Sequence, residues 1–435
     1  MSGPTHRSDP RVVSAGSSVH PAIRWTFYLF VLSLPFEYPE RSFPVETTTI
    51  TAALFLLAVL VQPVSCFRRF PASLGWFAGF LYACLVSFVV DGGQYADEVQ
   101  RLLTLYVQML LLFWAEYNVL QDEDVFRKTP LVLAIACIAR AGLQLADIAT
   151  VHTKEWVGGE RVSALGQNTN QSSMMMAAGL VALLGLAHTR AGGRRYPWVV
   201  TWPCVALIGL AIIQNGSRGG LAALGVGVVT FALGGSGMRT RLRHGAVGLV
   251  ALGLLIWGTY STEGMRNRLG ESASTGRLAG REQVYPALWH MFLERPILGY
   301  GPQANKWVLG GRLPEQHYEK REPHNLPLEI MTSTGLVGLI PFLIGFGLVV
   351  RAAWRARRGP AGSMPLALLA STMTANMSGS WLAGPLLWFV FAYELACDRP
   401  AAAPAPVLPR RSLRSTPLTA FDASVAASSS SAQSP

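Results

Sequence analysis

Residues 326–350 read LPLEIMTSTGLVGLIPFLIGFGLVV, and Glu329 is the sole charged side chain in the run. A bilayer core about 30 Å thick needs about 20 mostly apolar residues to cross it as a helix. This run is long enough. Comparable runs lie on both sides of it, near 22–38, 45–64, 72–91, 99–119, 129–149 and 172–190, then 196–214, 219–236, 244–261, 362–381 and 383–397. Twelve spans are therefore expected. The first is short and interrupted by Pro35, and the last two are separated only by Gly384-Pro385.

The composition agrees. The 435-residue chain is 51% hydrophobic and 14% charged, against about 25% charged in a soluble domain. A soluble core-and-surface protein is excluded, and so is disorder over most of the length. The fold class expected is an all-α polytopic membrane protein with about twelve transmembrane helices. Cys84, Cys137 and Cys204 fall within spans, Cys66 beside one and Cys397 at the end of the last. Neither a disulfide framework nor a Cys-ligated metal is expected. There is no repeat of 20–50 residues and no inverted repeat, nor a phosphate-binding loop of an ATP-driven pump.

The net charge of +11 invites a nucleic-acid reading until each basic residue is placed on a side. Twelve spans put both termini on one side. Its segments carry Arg7, Arg11 and Arg24, then Arg68-Arg69, Arg127-Lys128, Arg190 with Arg194-Arg195, and Arg239, Arg241 and Arg243. Arg351, Arg355, Arg357 and Arg358 follow, then Arg399, Arg410, Arg411 and Arg414. These are 21 of the 36 Lys and Arg, so the positive-inside rule makes this side cytoplasmic. The expected order is a cytoplasmic segment 1–21, helices over 22–261, an outer loop domain 262–325, helices over 326–398 and a disordered cytoplasmic tail 399–435. The first apolar run has no cleavage site after it and reads as a retained helix.

Nine of the remaining basic residues lie in the outer loop 262–325, which is too long for a simple connector. Candidate site residues gather there and at nearby span ends. Arg218 stands in Asn215-Gly216-Ser217-Arg218-Gly219-Gly220, where two spans meet in a tight turn. Glycines let the backbone approach a ligand, and amides at a helix start favour an anion. The bland alternative is an arginine snorkelling to head groups. Arg161 precedes Gly166-Gln167-Asn168-Thr169-Asn170-Gln171, amides that suit sugar hydroxyls or a phosphate, or simply cap a helix.

The loop opens with Ser274-Thr275-Gly276-Arg277 and Arg281. A helix is expected over 281–295, kinked at Pro286 unless that residue is in the first turn. Val284, Leu288, Trp289 and Phe292 would share its apolar face, packed on the bundle or lying at the membrane interface. The loop ends in Arg321-Glu322-Pro323-His324-Asn325. A lone His is more often structural than catalytic, but His324 converges with several arginines and can move a proton near neutral pH. His290 and His317 are weaker rivals. Arg101 and Arg140 lie inside apolar spans, where charges mark a site or a paired interior contact. The loop has no Asp and no paired carboxylates of the kind a metal-held diphosphate wants. Arginines can neutralise phosphate directly, so no metal is expected.

Together these residues resemble the O-antigen ligase and polymerase superfamily. The resemblance rests on Ser217-Arg218-Gly219-Gly220, on Thr275-Gly276-Arg277 through Trp289, and on Pro296-Ile297-Leu298-Gly299-Tyr300-Gly301. It is completed by His324-Asn325, Leu328-Glu329 and Thr334-Gly335-Leu336-Val337-Gly338. It implies a GT-C-like glycosyltransferase of the bacterial inner membrane. Such a ligase moves a glycan from undecaprenyl diphosphate to a sugar hydroxyl of lipid A-core on the periplasmic side, with no cofactor or metal. Carried over by motif, Arg218 and Arg281 would bind the diphosphate, with Arg161, Arg277, Arg321, Asn325 and Ser217 around the donor. His324 would accept the hydroxyl proton. A single displacement would invert the anomeric centre, although Glu282 and Glu322 stand as possible nucleophiles for a double one. The expected partners are the two lipid-linked substrates and membrane lipids, with the chain acting as a monomer and binding no nucleic acid. An O-antigen polymerase, a protein O-oligosaccharyltransferase and, from another class, an anionic lipid-glycan transporter are the alternatives.

Overall fold

The computed structural model describes residues 19–36, 45–155, 159–188, 197–235, 237–261, 266–267, 270, 274, 280–313 and 319–398. Arg277, His317, the first 18 residues and the tail from 399 lie outside the described residues. All described residues belong to one compact unit.

A helix stands at each of the twelve expected positions. In chain order they are α1 (Pro21–Ser33), α2 (Thr47–Val59), a one-turn α3 (Pro63–Cys66), α4 (Ala72–Val90), α5 (Ala96–Val119) and α6 (Glu123–Leu145). Then come α7 (Thr169–His188), α8 (Trp198–Gln214), α9 (Arg218–Leu233) and α10 (Met238–Ser261). The segment after α10 contributes α11 (Arg281–Glu294) and α12 (Ala304–Gly311), followed by α13 (Leu326–Ala356), α14 (Met364–Asn376) and α15 (Pro385–Cys397). Among the described residues, six helices are long and apolar enough to cross a membrane: α4, α5, α6, α7, Arg241–Ser261 of α10, and α13. The other six are shorter than the expected spans, from 13 residues in α1 to 17 in α8. Strands β1 (Thr150–Glu155) and β2 (Gly159–Ala164) pair antiparallel between α6 and α7, where the sequence had suggested only a loop.

Two kinds of packing hold the bundle. The first is aromatic. Phe77 of α4 is fully buried and stacks on Phe391 at 5.6 Å, with Phe113, Phe342 and Trp388 around its edges. It thereby joins α4, α5, α13 and α15. The second is close approach of small residues. A Cβ at Gly220 would lie 2.2 Å from Ser173, and one at Gly227 2.9 Å from Val181. α7 and α9 therefore touch almost backbone to backbone, the packing expected where lipid supplies no hydrophobic driving force between helices. α7 is the innermost candidate span, 94% buried over its apolar window.

Arg140 explains itself here. It is fully buried, and its guanidinium donates to Pro35 O, to Ala164 O at 3.1 Å and to Ser172 Oγ at 2.9 Å. It ties the end of α1 to β2 and α7, a structural role met by backbone carbonyls. Arg101 lies exposed on α5.

α13 is broken at Gly335, whose φ of 59° and ψ of −154° are non-helical. A break exposes backbone groups that must find partners. Here the loop Pro296–Gly301 supplies them. Tyr300 N donates to Thr332 O at 2.8 Å and Gly301 N to Ser333 O at 3.0 Å. Leu336 N donates to Pro296 O and Val337 N to Ile297 O, at 2.8 and 3.1 Å. Ser87 Oγ of α4 donates to Leu298 O and Ser333 O. The two glycine motifs quoted from the sequence are thus the two halves of one joint. A Cβ at Gly335 would sit 2.4 Å from the Ile297 carbonyl. Gly335→Ala is therefore expected to cost about 1–3 kcal/mol through strain and displaced bonds. Gly347→Ala on the same helix meets nothing within 4 Å and is the control. Thermal unfolding of the purified variants checks this; equal midpoints would refute the joint.

Candidate functional site

Helix α14 ends at Asn376, and its last carbonyls gather three other helix starts. Ser378 O accepts from Arg281 Nη2 at 2.7 Å, at the start of α11. Met377 O accepts from Tyr285 Oη at 2.8 Å and from Asn325 Nδ2 at 3.4 Å, the latter the N-cap of α13. A Cβ on Gly219, in the first turn of α9, would lie 2.2 Å from Ser378 Oγ. The N-termini of α9, α11 and α13 thus meet at the C-terminal end of α14. Positive helix ends face a negative one, which is favourable before any ligand arrives.

Local sequence sets each start. Ser217 caps α9, its Oγ accepting from Gly220 N at 3.1 Å. Asn325 caps α13 through Leu328 N at 3.1 Å. Gly280, at φ 83°, turns the chain into α11 and has no side chain to cap it.

Arg218, Arg281, Arg321 and His324 therefore share one place. All four are half-buried. Burial first, and then the nearby charges of Arg218 and Arg321, hold the Arg281 guanidinium below its ordinary value, with Tyr285 opposing. Burial, Arg281 and Arg321 likewise hold the His324 imidazole below its ordinary value; Glu322 opposes and Lys306 adds to the depression. His324 is neutral at neutral pH as a result, the form that can accept a proton. Its backbone is left-handed, with φ 53°, costly for a residue with a Cβ and common where a functional side chain is aimed by its surroundings. Tyr285 Oη also reaches His324 O, at 3.4 Å.

Other candidates take supporting positions. Arg161 is buried, with Nε donating to Asn215 O at 2.8 Å and Nη2 to Asn170 Oδ1 at 3.1 Å. Ser217 Oγ donates to the same Asn170 oxygen at 2.9 Å. Arg161 thus props the turn that delivers Arg218; burial lowers its pKa to about 10, which leaves it charged. Arg277 lies outside the described residues. Glu322 is engaged by Lys306 at 2.8 Å. Helix α11 runs through Pro286, which lies beyond its first turn, without ending. Val284, Leu288 and Phe292 are its buried face, but Trp289 is 47% exposed and does not join them. Lys306 was missed in the sequence. Its signal was faint: a single Lys in a short amphipathic helix, indistinguishable from a solvated one until its neighbours are known.

Long apolar helices, with half-buried Arg218, Arg281, Arg321 and His324 gathered by the end of α14, mark a multi-pass membrane protein. The match to known families is consistent with this. Residues 203–343 match the family model described as O-antigen ligase, a stretch that runs from α8 into α13 and contains Arg218, Arg281, Arg321 and His324. The match covers about a third of the chain and supports membership of the O-antigen ligase and polymerase superfamily, with ligase- or polymerase-type activity. No curated protein matches the chain.

Asn325→Ala removes the α13 cap and the tie to Met377 O. A loss of about 1 kcal/mol in stability is expected, and Asn325→Asp, which still caps but cannot donate to Met377 O, should recover only the part due to the cap. Thermal midpoints of the purified variants check this, and an Asn325→Ala midpoint equal to that of the parent protein would refute the cap.

Proposed function

We propose that the protein is an O-antigen ligase: a metal-independent, inverting glycosyltransferase that moves a glycan from undecaprenyl diphosphate to a sugar hydroxyl of lipid A-core. In this reading all twelve apolar helices cross the bacterial inner membrane. Both termini are cytoplasmic, and the site faces the periplasm.

One observation carries the reading, the meeting of three helix N-termini, three arginines and a half-buried histidine. A helix start favours an anion by about 0.3–1 kcal/mol, so three starts alone hold a diphosphate weakly. Hydrogen bonds from charged donors are worth about 1.5–3 kcal/mol each, and the guanidiniums dominate. Arg218 and Arg281 bind the diphosphate, with Arg321 beside them. The acceptor oxygen attacks the anomeric carbon while the bond to the diphosphate oxygen breaks, and the electron pair leaves with the diphosphate. The hydroxyl proton passes to His324. The arginines neutralise charge that grows on the leaving group, so they stabilise the transition state more than the ground state.

His324→Ala should lower transfer about 100-fold or more while the purified protein keeps its thermal midpoint; near-normal transfer by a folded variant would sink the proposal. Arg218→Lys should be poorly tolerated, because an ammonium cannot make the bidentate contact. The pH dependence follows from His324. Its pKa is held below the usual value of about 6.5, and the neutral form is the active one. Transfer should therefore persist as pH falls past that usual value and disappear as pH drops through the lowered one. A pH–rate profile of purified enzyme with lipid-linked donor checks it. Activity lost to EDTA and restored by a divalent cation would overturn metal independence. Deletion of the gene, read on a lipopolysaccharide gel, separates ligase from polymerase: polymer stranded on the carrier means ligase, and core bearing one repeat unit means polymerase.

A further inference from the structure

Arg321 and His324 sit on a stretch, 321–325, that is neither helix nor strand. Something must hold it, because a left-handed His324 is not a resting conformation of free chain. The holder is the first turn of α12. Lys306 is 8% exposed. Its carbonyl accepts from Arg321 N at 3.0 Å. Its Nζ lies 2.8 Å from Glu322 Oε2 and 3.6 Å from Glu329 Oε1 of α13. One residue therefore grips the segment by backbone and side chain together and ties it to α13. Its neighbours anchor it in turn. Asn305 Nδ2 donates to Thr332 Oγ1 at 3.1 Å, both side chains fully buried. Trp307 stacks on Tyr95 at 5.0 Å. Lys320, at the other edge of the segment, pairs with Glu98 at 2.5 Å.

We propose that Lys306 is a positioning residue for the transfer reaction: it fixes the chain that carries Arg321 and His324, and its pairing with Glu322 sets the charge around the His324 ring. The inference rests on the reading of His324 as proton acceptor. A lysine this buried is retained only when paired, and burial, which alone would lower its pKa, is outweighed by Glu329 and Glu322. The charged groups acting on His324 are Arg281 of α11, Arg321 and Glu322 of its own segment, and Lys306 of α12. Tyr285 of α11 bonds its carbonyl, and α14 presents carbonyls to Arg281, Tyr285 and Asn325. Removing Lys306 deletes one cation and leaves Glu322 unpaired. Both changes favour imidazolium.

The test uses full-length protein and diethyl pyrocarbonate, which modifies neutral imidazole, with the peptide bearing His324 quantified by mass spectrometry across pH. Lys306→Met should raise the His324 midpoint by about half a unit or more, so that below the midpoint the reactive fraction falls about threefold. Lys306→Arg should restore it. Glu322→Gln, at a partly exposed position, should move the midpoint down, and it decides the matter if Lys306→Met does not fold. An unchanged midpoint in a folded Lys306→Met, or in Glu322→Gln, overturns the proposal. The acid limb of the transfer rate should follow the midpoint. A midpoint that moves while the acid limb stays still supports the placement of Lys306 and instead defeats His324 as proton acceptor.

Discussion

Everything at the site depends on keeping like charges close together. Arg281 lies in the field of both Arg218 and Arg321. What holds them is backbone. The Ser378 carbonyl takes the Arg281 guanidinium, and the end of α14 offers a negative dipole to three positive ones. A carboxylate at that spot would neutralise the arginines and compete with an anionic ligand. A carbonyl positions an arginine and leaves its charge available.

The same economy appears at Gly335. A continuous α13 would have no unpaired groups at Thr332 and Ser333, so the loop Pro296–Gly301 would have no docking site. That loop links α11 to α12, which means that the break in α13 locates both Arg281, at the start of one helix, and Lys306, in the next. The position of the site is thus set by a backbone joint between this loop and α13. Irregular backbone is tolerated within a bilayer only when each polar group is answered from within the protein, and Ser87 of α4 completes that requirement.

Much of this was legible in the sequence, for physical reasons that differ by element. Apolar length reports helices directly, and a helix stands wherever a run was read. Length also limits the reading: α9 and α14, of 16 and 13 residues, stop at Leu233 and Asn376, short of the 236 and 381 read from apolar length. Arg218, Arg281 and His324 could be singled out because glycine turns and a proline mark where helices begin. Their convergence could not, since it depends on where α14 ends, and nothing in Met377-Ser378 advertises that. Trp289 was misplaced because spacing of four and five residues around Leu288 fits a broad apolar face, whereas the packed face is narrower. The hairpin β1–β2 was hidden because its alternation is short and polar on both sides.

The two most buried arginines show why position along the pocket matters more than residue type. Arg140 and Arg161 both spend their guanidinium donors on backbone carbonyls and side-chain oxygens, so each joins elements that would otherwise part. Arg281 spends one donor on Ser378 and stands at a helix start beside two more arginines. A guanidinium has five donors, and in the proposed mechanism those of Arg281, Arg218 and Arg321 meet the diphosphate. Arg161 works one layer behind, stiffening the Asn215–Gly216 turn so that Arg218 is held at the pocket rather than free to snorkel toward lipid.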